Sequence, residues 1–362
     1  MAVELFDTSS ALVPLRAELR AAVERVLDSE RYILGPEVSA FESEFAAYCE
    51  TDFAIGVANG TEAITIALRA LGVGPGDEVV VPSFSFWASA EAIPATGARP
   101  VFCDIDPETY CVTPETVKAV LTPRTKAVIA VHLFGNVAPV SEIEALGVPV
   151  LEDAAQAAGS LGEGGRPGSL GTIATFSFFP SKNLGCFGDG GAITTGDAAL
   201  DEAVRTLRFH GSKDKVSYQR VGYNSRLDEL QAAILRVQLP HLDGWADARR
   251  QAGAAYEQAG LGELVELPRA TRGAAPAWHL YVVAHPQVER LEAALAQAGI
   301  GHKPYYRTPI HRQQPMLEWA HGVELPATEQ AARTHLAIPM SPGLTRKQVD
   351  EVVAAARPPQ QL

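Results

Sequence analysis

Residues 175–195 read TFSFFPSKNLGCFGDGGAITT, and this stretch decides the fold. A short apolar run, ATFSFF (174–179), ends at Pro180-Ser181-Lys182-Asn183. Glycines at 185, 188, 190 and 191 then lead into a second run, GAITT (191–195). Runs this short, bounded by Gly and Pro, predict buried strands. A lysine at the end of such a strand is desolvated, which lowers its pKa and makes its amine a usable nucleophile. Taken alone, Lys182 reads more readily as a surface lysine in a loop. The glycines would let backbone approach a ligand closely.

The same pattern extends in both directions. FAIGVA (53–58), EVVVPS (78–83), ARPVFCDI (98–105), AVIAVHLF (127–134) and VPVLED (148–153) are further short runs, with helical stretches between them. The alternation predicts an α/β fold with a mostly parallel central sheet and helices on both faces. Upstream, Leu12, Leu15, Leu19, Val23 and Val26 are spaced as on a helix, with Pro36 stopping the pattern. Downstream, a long helical pattern starts at Leu227 and reaches about Gln258, with a kink expected at Pro240. HLYVVAH (279–285) and VERLEAALAQAG (288–299) then predict a smaller C-terminal α/β domain. The expected division is 1–245 for the large domain and 246–362 for the small one, with the tail RPPQQL disordered.

Ligands of open α/β sheets sit beyond the carboxyl ends of the strands. Asp153 stands at such an end; a carboxylate there suits a cationic ring nitrogen, or it caps a helix. Asn59-Gly60-Thr61 joins a strand to a helix. Free N–H groups and a hydroxyl at a helix N-terminus make an anion site, or Thr61 is simply the N-cap. Ser177 adds a hydroxyl at another strand end.

Composition removes other classes. The chain has 362 residues, with 30 Lys+Arg against 43 Asp+Glu, a net charge of −13. That balance argues against nucleic acid as a partner, while a local cradle can still hold a small anion. The N-terminus carries Glu4 and Asp7 before any apolar run, so no signal peptide is expected, and no run of 18 apolar residues predicts a membrane span. Cys49, Cys103, Cys111 and Cys186 form no CxxC pair and read as reduced thiols in a cytoplasmic protein, with no metal site. No GK dipeptide, HExxH or GxSxG occurs, so P-loop, metalloprotease and hydrolase readings have no support.

A lysine, a carboxylate and phosphate donors on successive strand ends are what pyridoxal phosphate requires. The sequence closely resembles the DegT/DnrJ/EryC1/StrS family of sugar aminotransferases, from about Pro36 to Pro342. The resemblance is carried by GVANGTEAI, GDEVVVPSFSF, PVFCDIDPETY, HLFG, LEDAAQAAGS, FSFFPSKNLGCFGDGGAI, HGS (210–212), VGYNSRLDELQAA and PIHRQQP. It implies the three-layer αβα architecture of PLP-dependent transferases of fold type I. It implies that Lys182 forms the Schiff base with pyridoxal 5'-phosphate (PLP, cycling with PMP) and that Asp153 pairs with the ring nitrogen. It further implies that Gly60, Thr61 and Ser177 hold the phosphate, that Trp87 stacks on the ring, and that Gln156, one helical turn beyond Asp153, faces the cofactor. Asn224 would reach the partner subunit's phosphate, making a homodimer with shared active sites. Tyr223, Arg226, His311 and Gln313 are the candidates for substrate contact, with Gln314 leaving the register there open.

The implied reaction moves an amino group from an amino-acid donor, by family habit L-glutamate, to a nucleotide-linked keto-sugar. Relatives that instead remove a hydroxyl have histidine at the lysine position; Lys182 favours amino transfer. Alternatives are a cyclitol or other non-nucleotide keto substrate, and a non-enzymatic aminotransferase-like regulator. Lys213, Lys215, Arg220 and Lys303 are local positive charges that suit a diphosphate or simply lie solvated in loops.

Overall fold

The computed structural model describes residues 3–357; residues 358–362 of the expected tail lie outside them. Seven strands form one sheet: β1 (Phe53–Val57), β2 (Glu78–Pro82), β3 (Arg99–Cys103), β4 (Thr125–Val131), β5 (Val150–Asp153), β6 (Ile173–Ser177) and β7 (Gly191–Thr195). Their order is β1-β7-β6-β5-β4-β2-β3. All neighbours are parallel except at β7, which runs antiparallel to both β1 and β6. The strands are apolar on both faces because helices cover both, and the buried side chains divide into a large cluster on one side and two smaller ones on the other. This is the α/β architecture with a mostly parallel sheet that the alternating runs predict.

A second sheet pairs β8 (Tyr281–Ala284) with β9 (His335–Ile338), antiparallel. Its residues alternate between two cores, as a strand's period of two requires. Leu280 and Val282 join the large cluster, whereas Tyr281 and Val283 pack with Tyr256, Leu295 and Val352 in a separate one. The helix Leu242–Gln258 runs unbroken across residues 245 and 246.

Two prolines behave differently. A 3₁₀ turn at Leu239–His241 splits the long helical pattern into Glu229–Gln238 and Leu242–Gln258, so Pro240 breaks it as expected. Pro36 does not merely end a helix. The first helix closes earlier, at Ser29, and Pro36 opens the next one, Pro36–Cys49, where a missing N–H costs nothing. The buried Glu229 carboxylate accepts from the N–H groups of Gly35, Glu37 and Val38 at 2.8–2.9 Å and so caps that helix from 190 residues away in sequence.

The register brings the functional strand ends together. Ser177 pairs with Gly191, Gly191 with Val57, and Val131 with Asp153. Because β7 runs opposite to its neighbours, its first residue lies beside their last ones. A Cβ on Gly191 would stand 2.6 Å from the Asn59 carbonyl carbon and 2.9 Å from the Phe176 carbonyl oxygen, both backbone. Gly191→Ala is therefore expected to destabilise the fold by roughly 1–3 kcal/mol, read as a fall of several degrees in the thermal midpoint. Gly74→Ala, where nothing lies within 4 Å, should leave the midpoint unchanged. Equal midpoints for the two variants would refute the packing argument.

Candidate active site

At these strand ends lies a cavity of about 640 Å³. Lys182, Asp153, Gly60, Thr61, Gln156 and Ser177 all line it. Six residues spread over 120 positions of sequence thus share one wall system, as the strand-end rule predicts.

The Lys182 loop is tied down along its length. Phe178 N–H donates to the Gly190 carbonyl, Cys186 N–H to the Phe178 carbonyl and Lys182 N–H to the Phe179 carbonyl, each at 2.8 Å. The Asn183 amide donates to the carbonyls of Ala158 and Ala277 at 3.2 Å. A Cβ on Gly185 would meet the Pro180 carbonyl oxygen at 2.7 Å, so only glycine lets the loop fold back so tightly. Burial of the Lys182 amine lowers its pKa to about 8, with the Asp153 charge opposing that shift. His279, also on the cavity wall, is buried with Nδ1 unpartnered. Burial and the charges of Lys182 and Arg249 hold it well below the usual histidine range, so it stays neutral and adds no third positive charge.

Asp153 ends β5, and no helix follows it, so it caps none. Its Oδ2 accepts from the Ser89 hydroxyl at 2.7 Å, and its Oδ1 from the Ala155 N–H at 3.2 Å. Opposite it, the helix Gly60–Ala70 points its N-terminus into the cavity. Its N-cap is Asn59, whose Oδ1 accepts from Glu62 N–H at 2.9 Å, and not Thr61. The N–H groups of Gly60 and Thr61 therefore lack acceptors within the helix. A Cβ on Gly60 would lie 2.8 Å from the Ser177 Cβ; glycine brings the helix terminus against that hydroxyl. Glu62, Asp189 and Lys303 are the other charged groups on the wall.

Four residues are placed differently from expectation. Gln156 faces the cavity from a turn, not from a helix: its Oε1 accepts from Phe134 N–H at 2.6 Å and its Nε2 donates to the Tyr306 hydroxyl at 3.2 Å. Trp87 is off the wall. Its indole N–H donates to Glu91 at 2.7 Å, four residues on, and its ring packs against the large core. Its neighbour Phe86, 54% exposed, is on the wall instead. His311 is buried away from the cavity, with Nδ1 2.6 Å from the Ser83 hydroxyl and Nε2 3.1 Å from Glu329. Gln313 donates to the Thr308 carbonyl at 3.2 Å and is likewise off the wall.

Tyr223, Asn224 and Arg226 also do not line this chain's cavity; Asn224 is exposed and pairs by backbone with Phe209. Of the four loop cations, Lys213 pairs with Glu202, Lys215 lies over the Phe209 ring and Arg220 is exposed. Lys303 reaches the cavity, its Nζ 5.0 Å from the centre of the Tyr305 ring. Ser85, Ser89, Tyr305 and Tyr306 were not singled out by the sequence. The i, i+4 spacing of Ser85 and Ser89 was the available signal. Among the described residues no group of His, Cys, Asp and Glu is arranged to hold a metal, and no helix is long and apolar enough to cross a membrane.

The sequence pattern of the DegT/DnrJ/EryC1/StrS aminotransferase family matches residues 14–357. The dTDP-3-amino-3,4,6-trideoxy-alpha-D-glucose transaminase of Streptomyces venezuelae is 46% identical, over 98% of this chain and 95% of that one. The UDP-N-acetyl-3-dehydro-alpha-D-glucosamine 3-aminotransferase of Acidithiobacillus ferrooxidans is 41% identical, over 98% and 97%. Among solved structures, S. venezuelae DesV in complex with a ketimine intermediate superposes with a TM-score of 0.94 at 45% identity, covering 98% of this chain and 97% of that one.

The amine carries its own test. With a pKa of about 8, roughly a tenth of Lys182 is neutral at pH 7, against a few ten-thousandths of an ordinary lysine. In cofactor-free protein, amine-reactive labelling mapped by mass spectrometry should favour Lys182 at pH 7 and rise with a midpoint near 8. Labelling spread evenly over the lysines would contradict the burial argument.

Proposed function

The chain belongs to the DegT/DnrJ/EryC1/StrS aminotransferase family, and on that premise we propose that it transfers an amino group from an amino acid, L-glutamate by family habit, to a nucleotide-linked keto-sugar. The observation that carries this reading is the cavity that sets a desolvated lysine beside one carboxylate and opposite an open helix N-terminus.

The residues fit pyridoxal phosphate. Lys182 supplies an amine with a substantial neutral fraction near physiological pH, and Asp153 a carboxylate whose Oδ1 faces only one weak backbone donor. The N–H groups of Gly60 and Thr61, with the hydroxyls of Thr61 and Ser177, form a cradle that a Cβ at position 60 would fill. Phe86 takes the aromatic place first assigned to Trp87, and Gln156 contributes an amide. When bound, the cofactor supplies an electron sink that lets an amino group pass between an amino acid and a keto carbon. The protein's own parts supply the rest. Lys182 takes a proton from the reacting carbon and returns it, which an amine poised near pH 8 does in both directions. Asp153 holds a proton on the ring nitrogen. The helix terminus fixes the phosphate, and with it the lateral position of the reacting groups.

The named relatives act on dTDP- and UDP-linked substrates and carry the amine at carbon 3. On that likeness the substrate proposed here is a 3-keto hexose on a thymidine or uridine diphosphate. Lys303, with the Tyr305 and Tyr306 hydroxyls on the same wall, offers donors to such a polar ligand. Asn224, exposed on its own chain, is proposed to complete the site of a second copy, so that the working unit is a homodimer.

Lys182→Ala should abolish turnover and the visible absorbance of bound cofactor, and borohydride should fix the cofactor to Lys182 in the wild type. Asp153→Asn should keep cofactor but lose two or more orders of magnitude in rate. Assayed with glutamate and a panel of 3- and 4-keto thymidine- and uridine-diphosphate sugars, a wild-type rate in either variant would sink the assignment. Sharing of sites has a separate test. Mixing inactive Lys182→Ala with inactive Asn224→Ala should restore activity, because the mixed dimer holds one intact site. No recovery after confirmed subunit exchange would place Asn224 outside the neighbour's site.

A further inference from the structure

Ser85 lies in the bend that leads into the short helix Ala88–Glu91, and Ser89 is the second residue of that helix. Both are buried, at 2% and 0% exposure, and Ser85 lines the cavity. The two hydroxyl oxygens are 2.8 Å apart, and the Ser89 hydroxyl is 2.7 Å from Asp153 Oδ2. The three groups form a line from the cavity wall to the back of the Asp153 carboxylate.

The direction of that line follows from counting protons. A carboxylate only accepts, and a serine hydroxyl has one proton to give. Ser89 must therefore donate to Asp153 and has nothing left to donate to Ser85. The 2.8 Å contact is then made with the Ser85 proton, and the Ser85 oxygen keeps only lone pairs for the cavity. Building on the reading of Asp153 as partner of a ring nitrogen, we propose that Ser85 and Ser89 are a hydrogen-bond chain of fixed polarity that holds Asp153 as a proton acceptor and presents, at Ser85, an acceptor for an N–H or O–H of the bound ligand. The chain engages Oδ2, while Oδ1, which accepts only from the Ala155 N–H, keeps a lone pair for the ring. A ligand that donates to Ser85 polarises both hydroxyls toward Asp153. Occupancy of the cavity is thereby coupled to the strength with which Asp153 holds the charge opposite the ring. Ser85 and Ser89 are positioning residues in this scheme, acting on the ring only through Asp153.

The other groups facing Asp153 are Lys182, whose positive charge supports the carboxylate, and the Tyr306 phenol, held neutral by burial and fixed by the Gln156 amide. Neither makes a hydrogen bond to Oδ2, where Ser89 is the only donor among the described residues. Removing that donor disfavours the charged carboxylate.

The test uses the cofactor-loaded enzyme with a keto-sugar that the wild type turns over. Ser89→Ala should lower kcat about tenfold and move the acidic limb of the pH–rate profile upward by about one pH unit, with the cofactor absorbance retained. Ser85→Ala, which cuts the chain one link nearer the cavity, should move the limb in the same direction by less. The double variant should be no worse than Ser89→Ala, because the chain is already broken there. An unmoved acidic limb in both single variants, or losses that multiply in the double variant, would overturn the proposal. If the wild type itself binds no cofactor at Lys182, the reading of the site fails instead, so the two failures are distinguishable.

Discussion

A lysine amine held out of water beside one carboxylate is the constraint on which the rest of the site depends. Moving its pKa from 10.5 to about 8 means that its surroundings disfavour the ammonium by roughly 3 kcal/mol. Desolvation alone would push further; Asp153 limits it. The balance needs rigid supports on both sides. Asp153 is rigid because its own carbonyl accepts from His132 N–H at 3.0 Å and the next N–H, of Ala154, goes to Thr175 at 2.9 Å. Its neighbour Glu152 points the other way, to His132 Nε2 and the N–H groups of Gly168, Leu170 and Gly171. Four donors on one buried carboxylate satisfy it fully and lock the strand end from behind. The lysine side is locked by a loop folded too closely for any side chain at Gly185.

Topology supplies the second support. A wholly parallel sheet would carry the chain after β6 across a helix and away from the site. The antiparallel β7 returns it at once, so the Lys182 loop spans only the gap between two adjacent strands. It also places a glycine, Gly191, against Asn59, which sets the helix terminus where Ser177 and Gly60 nearly touch. Close backbone approach, not side-chain packing, thus brings the candidate phosphate cradle within reach of the lysine.

Much of this was legible in the sequence. The seven strand runs are short, β-branched and bounded by Gly and Pro, and each has its counterpart in the sheet. Lys182, Asp153, Gly60, Thr61 and Ser177 are legible because strand ends are marked by the change from apolar to polar residues. What failed was orientation. Trp87 and Phe86 are adjacent aromatics, and which one meets the cavity depends on a helical turn that gives the Trp87 indole a partner at Glu91. His311 looks free in PIHRQQP but lies between Ser83 and Glu329, the first of them over 200 residues distant. Gln156 reaches the cavity from a turn. Its reach comes from the Phe134 N–H, not from helical spacing. The His311 contact spans a distance in sequence that leaves no local signature, whereas the Trp87 contact is local but depends on which way one short turn rotates.

The net charge of −13 sits oddly with a proposed ligand carrying several phosphate charges, and the structure suggests how the two coexist. Helix-terminal N–H groups attract an anion without any net charge of their own, and their field fades within about one turn. The arginines are mostly spent on nearby carboxylates, as in Arg236 with Glu37 and Glu44 or Arg205 with Glu42 and Asp201. Lys303 alone among the four loop cations reaches the cavity wall. More positive charge at the site has to come from elsewhere, and the surface indicates where. Phe187 on the Lys182 loop is more than half exposed, and Val216, Tyr218 and Val221 stand out on the loop that carries Lys213, Lys215 and Arg220. In the proposed homodimer, side chains so exposed are the ones a second copy would cover. The loop with those three cations runs directly into Asn224, so the segment proposed to serve the neighbour's site would bring positive charge with it.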